Sequence, residues 1–73
     1  MNMDYVIAIE SPGGPAYFKD TSSLAVAIAV ARDSARAGGG SVLYRIYNNP
    51  NKLLLQDWKK HPTRYRFGGN RHE

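Results

Sequence analysis

A chain of 73 residues holds one core, because a domain of this size buries only about 60% of the surface its unfolded chain exposes. It has no cysteine for a disulfide framework or a thiolate zinc site, and its longest apolar stretch, Leu24 to Ala31, is far shorter than the roughly 20 residues that cross a bilayer. The formal charge of +4 is uneven: residues 1–44 hold three Lys or Arg against four Asp or Glu, a net of −1, and residues 45–73 hold seven against two, a net of +5.

The start, Met1-Asn2-Met3-Asp4, carries no basic run of the kind that opens a signal peptide, so a cytoplasmic protein without leader or anchor is expected. A closed catalytic cleft is hard to build at this size, since its lining would use the residues that must exclude water from the core. Binding, not catalysis, is therefore expected. The basic end serves either solubility alone or an anionic partner, whether nucleic acid or an acidic or nucleic-acid-loaded protein.

Tyr5-Val6-Ile7-Ala8-Ile9-Glu10 alternates large with smaller or polar residues and predicts a strand buried on one face. Ser11-Pro12-Gly13-Gly14-Pro15 turns the chain into the short edge run Ala16-Tyr17-Phe18-Lys19. Asp20-Thr21-Ser22-Ser23 supplies capping side chains, and the Ala-rich stretch before Gly38-Gly39-Gly40 predicts a helix over about 22–37. Leu24, Val26, Ile28 and Val30 alternate with alanines and would also fit period two. Alanine, the best helix former and depleted in strands, decides for helix.

On that helix Leu24, Ile28, Ala31 and Ala35 share a stripe, while Val26 and Val30 lie about 200° around the axis from Leu24 and Ile28. Either the helix is sunk between sheet and tail, or Val26 and Val30 meet a second copy or a partner, which makes a homodimer one expectation. Val42 to Tyr47 and Lys52-Leu53-Leu54-Leu55-Gln56-Asp57-Trp58, separated by the turn signal Asn48-Asn49-Pro50-Asn51, predict a second hairpin whose last strand ends at His61-Pro62. Thr63-Arg64-Tyr65-Arg66-Phe67 is a short extra edge strand or an ordered arm. The expected fold is α+β, a single helix on an antiparallel sheet in ββαββ order with that segment as a fifth strand, over residues 1–67, followed by a flexible tail at 68–73.

Basic and aromatic residues interleave in Tyr44-Arg45-Ile46-Tyr47, Trp58-Lys59-Lys60-His61 and Arg64-Tyr65-Arg66-Phe67. Cations neutralise phosphates and aromatic faces stack on bases, the mixture a single-stranded nucleic acid site requires. It is equally the pattern of amphipathic strands with aromatics inside and arginines outside. Gly38-Gly39-Gly40-Ser41 follows a helix and lacks the P-loop lysine, so no helix N-terminus faces a phosphate there. His61 and His72, eleven residues apart, do not match the spacing of a helical metal pair, and with Asp57 and Glu73 they support neither metal, cofactor nor catalytic triad.

A first strand at the N-terminus, a short loop and edge strand, an Ala-rich helix, the tyrosine-bearing strand Val42-Leu43-Tyr44-Arg45-Ile46 and a closing strand resemble small anti-CRISPR proteins of phages and mobile elements that act on type I systems. The resemblance spans about residues 4–60 and is one of size and element order. It implies a non-enzymatic inhibitor in the bacterial cytoplasm that docks on a Cas protein or the CRISPR ribonucleoprotein complex and blocks DNA binding or nuclease recruitment, with basic side chains also in reach of guide or target strand. The exposed basic set Arg45, Lys52, Lys59, Lys60, Arg64 and Arg66 is the expected contact surface, with Tyr47 and Trp58 as aromatic anchors. The alternative is a small basic nucleic-acid-binding regulatory protein in which the same residues contact phosphates directly.

Overall fold

The computed structural model describes residues 4–39, 41–49 and 55–68. Tyr5–Ile9 forms strand β1, Ala16–Thr21 β2, Leu24–Ala37 helix α1, Tyr44–Asn48 β3, Leu55–Lys60 a 3₁₀ helix, η1, and Thr63–Phe67 β4. The helix packs on a four-stranded antiparallel sheet in the order β2-β1-β3-β4, the α+β architecture expected.

The β1–β2 turn is closed by the Gly14 N–H donating to the Ser11 carbonyl at 2.9 Å, and Gly14 sits at φ +112°, a conformation that a side chain would strain. In β1, Val6, Ile7 and Ala8 are all fully buried. The expectation of burial on one face is thus corrected: β1 lies between β2 and β3 and is covered from both sides, so its small Ala8 is a core residue.

Helix α1 starts where the Ser23 side chain accepts from the Val26 N–H at 3.2 Å, and ends as Gly38 and Gly39 donate to the carbonyls of Ser34 and Arg36, with Gly39 at φ +68°. Replacing Ser23 with alanine should cost about 1 kcal/mol, read as a lower urea midpoint at unchanged slope. An unshifted midpoint would mean that water caps this end equally well.

The helix buries Ala27, Ala31 and Ala35 against Ile7, Tyr44 and Ile46, with Tyr5, Ile9, Ile28, Val30, Val42 and Phe67 packed around them. Ala31 and Ala35 of the expected stripe are buried, but Ala27 completes it where Leu24 and Ile28 were expected, and those two are only partly buried. Alanine lets the helix approach the sheet closely, and the large sheet side chains fill the space. Val30 belongs to the flank of this core, and Val26, 49% exposed, is the member of the expected self-association pair left in solvent.

The second hairpin differs from expectation. The segment Leu55–Lys60 is the 3₁₀ helix η1, and the strand beside β3 is Thr63–Phe67. Leu53-Leu54-Leu55-Gln56-Asp57-Trp58 lacks period-two alternation, whereas Thr63-Arg64-Tyr65-Arg66-Phe67 alternates throughout, and one side of β3 takes one strand. His61-Pro62 accordingly precedes the last strand. Lys52 and the tail beyond Gly68 lie outside the described residues.

η1 covers the sheet face opposite α1. Its Trp58, 3% exposed, clusters with Val6, Ala8 and Tyr47 and meets the Tyr47 ring edge-on at 5.1 Å. The sheet is thus sandwiched between α1 and η1.

Candidate functional site

Residues directly opposed across an antiparallel pair share a face. Ala8 faces Trp58, and it is opposed by Arg45 on β3 and by Tyr17 on β2; Arg45 is opposed in turn by Arg66 on β4. One row of the η1 face therefore reads Tyr17, Ala8, Arg45, Arg66. The register slips between Ile46 and Tyr47, where β4 carries Arg64 as an extra residue. Such bulges re-aim side chains, and Arg45, Arg64, Tyr65 and Arg66 together line an open depression of about 460 Å³.

Two like charges directly opposed are unfavourable, and Glu10 offsets this in part. Its N–H donates to the Leu43 carbonyl at 2.9 Å, which holds it beside β3 just past the end of β1, and its Oε2 lies 3.2 Å from the Arg45 Nε. Both atoms are buried, yet they are not aligned as a hydrogen bond, so the contact is a charge pair. Arg64 and Arg66 are exposed and make no salt bridge among the described residues. They are the uncompensated charges of the depression.

Lys59 and Lys60, at the end of η1, are exposed from the same side of the sheet. Lys59 Nζ stands 5.8 Å above the Trp58 ring, a cation–π contact, and Lys60 pairs with Asp57 at 3.6 Å. The Lys60 pair is worth less than about 1 kcal/mol at this exposure, so its ammonium remains free to engage a partner.

At the far edge of this face, burial first and the nearby Asp20 carboxylate second raise the Tyr17 hydroxyl above its ordinary pKa of 10.0. It is uncharged at neutral pH, and the face grades from this neutral or acidic β2 edge to the basic β4 edge.

Of the expected contact residues, the structure brings Arg45, Arg64 and Arg66 together and places Lys59 and Lys60 on the same face. Tyr47 and Trp58 are corrected from aromatic anchors to core: at 6% and 3% exposure they are consumed in attaching η1 to the sheet. Tyr65, between the two arginines in sequence but on the helix face of β4, is 37% exposed and stacked on Phe67 at 6.5 Å, which leaves an aromatic in solvent at the β4 edge. The strict alternation Arg64-Tyr65-Arg66 carried that signal. Glu10 carries no such signal in the sequence, since its pairing with Arg45 depends on strand register. Among the described residues no three His, Asp or Glu converge as metal ligands, and no helix is long and apolar enough to cross a membrane.

Comparison of the chain with protein-family models, with curated proteins and with solved structures finds no match.

Proposed function

We propose that this chain is a non-enzymatic binding protein that docks its β4–η1 face on an anionic partner, and that the partner is a type I CRISPR ribonucleoprotein, which it inhibits in the manner of an anti-CRISPR protein. The observation that carries the binding surface is the convergence of Arg45, Arg64 and Arg66 on one open depression, with Arg64 and Arg66 unpaired among the described residues. Guanidinium groups and a tyrosine hydroxyl hold an anion but supply no general base at neutral pH. The choice of partner rests on the resemblance in size and element order, with the bacterial cytoplasm as the compartment it implies.

The test is capture by the tagged protein from bacterial lysate containing type I CRISPR components, with and without nuclease. A Cas protein retained after nuclease treatment is expected, and it should be lost when Lys59, Lys60, Arg64 and Arg66 are replaced together by glutamate while the far-UV spectrum is unchanged. Equal capture by wild type and this variant would remove the face from the function. Nucleic acid alone, released by nuclease, would replace the inhibitor reading with that of a small nucleic-acid-binding regulatory protein.

A further inference from the structure

We infer that the depression on β4 is a phosphate site for a single nucleic-acid strand, which crosses the β4 edge with its backbone on Arg45, Arg64 and Arg66 and a base against Tyr65. The inference rests on the reading of this face as the working surface and names the chemistry that it recognises.

Three features fit a phosphodiester strand, and the second and third of them speak against an acidic peptide. The first is charge density: the cross-strand pair Arg45 and Arg66, joined by the bulged Arg64, gathers three guanidinium forks around one depression with Glu10 as the acid paired to Arg45. A fork of this kind matches the two free oxygens of a phosphodiester, which stays ionised at every physiological pH. The second is the bulge itself. An acidic peptide would join this edge by adding a strand, and the break in register at Arg64 interrupts the hydrogen-bond ladder such addition needs.

The third feature is the exposed aromatic. Tyr65 is opposed by Ile46, so it lies on the helix face of β4, across the strand from the arginines, with its ring stacked on Phe67 at an interplanar angle of 22°. A base can use this surface while the phosphates stay on the other side of the edge. Aromatic stacking of this kind tolerates any base, so preference for single strands without sequence specificity follows. The open shape agrees, because a polymer can pass through it where a small ligand would lack enclosure.

The test is fluorescence anisotropy of a short labelled oligothymidylate titrated with the full chain at several salt concentrations. Binding is expected to weaken linearly on a log–log salt plot. Replacing Arg64 and Arg66 by glutamine should lower affinity about tenfold for each guanidinium lost and flatten the slope by about 1.4, at about 0.7 per phosphate on a single strand. Tyr65→Ala should lower affinity about tenfold with the slope unchanged, and Tyr65→Phe should restore it. No anisotropy change at low salt, an unchanged slope in the arginine variant, or displacement by polyglutamate as effective as by unlabelled strand at equal charge would each overturn the phosphate site. Capture of a Cas protein that persists after such a failure leaves the docking reading standing with a protein carboxylate surface as its target. Oligothymidylate binding without Cas capture leaves the site standing and removes the inhibitor.

Discussion

Trp58→Ala is expected to leave the chain at the edge of unfolding, with a loss of about 3–5 kcal/mol. A domain of 73 residues has a total of about 4–11 kcal/mol to lose, at the usual yield per residue. The size of the effect follows from where the ring sits. It is 3% exposed, it meets Tyr47 at 5.1 Å, and with Val6, Ala8 and Tyr47 it forms the cluster that holds η1 to the sheet. Urea unfolding followed by far-UV circular dichroism measures it, because the variant has no tryptophan to report by fluorescence. Trp58→Phe should recover more than half of the loss by refilling most of the volume. A partner-binding anchor behaves differently: the alanine variant would keep its midpoint within about 1 kcal/mol and lose only its partner, and that result would put Trp58 back on the surface.

The same residue shows where sequence reasoning stops. The first half of the fold could be read locally, since turn, cap, Ala-rich helix and glycine stop each carry their own chemistry in adjacent residues. The second half could not, because two segments compete for the free side of β3. Lys52 to Trp58, with its three leucines, is the more apolar and Thr63 to Phe67 the better alternating, and the choice depends on what covers the opposite face of the sheet. Once Val6 and Ala8 need a lid there, an aromatic on η1 supplies it. An isolated reading of Trp58-Lys59-Lys60 sees an aromatic among cations and cannot see the valine beneath it.

The basic site divides along the same line. That Arg64 and Arg66 stay in solvent is legible from their side chains alone, since unpaired arginines are almost never fully buried. That they join Arg45 is not legible, because it requires the pairing of Arg45 with Arg66 and the slip that brings in Arg64. Glu10 is further still from local inference: it sits 35 residues before Arg45 in sequence and reaches it only because β1 and β3 are neighbours.

The helix–sheet core supplies the second large effect. Ile46 is fully buried on β3, opposed by Ile7 and Tyr65, and it faces a helix whose buried residues are Ala27, Ala31 and Ala35. The sheet therefore carries the volume of this core and the helix carries its close approach. Ile46→Ala is expected to cost about 2–5 kcal/mol, since the flanking sheet strands cannot collapse into the space. Ala31→Leu alone should cost about 1–3 kcal/mol by overpacking, although leucine is itself a good helix former. If Ala31 and Ile46 share one packing volume, the double variant should be more stable than the sum of the two losses predicts by about 0.5–3 kcal/mol, as the added leucine fills the vacated space. Urea midpoints of the four proteins measure the cycle. Strict additivity would mean that the two positions do not meet across the interface, and that the stripe of alanines faces a different part of the sheet.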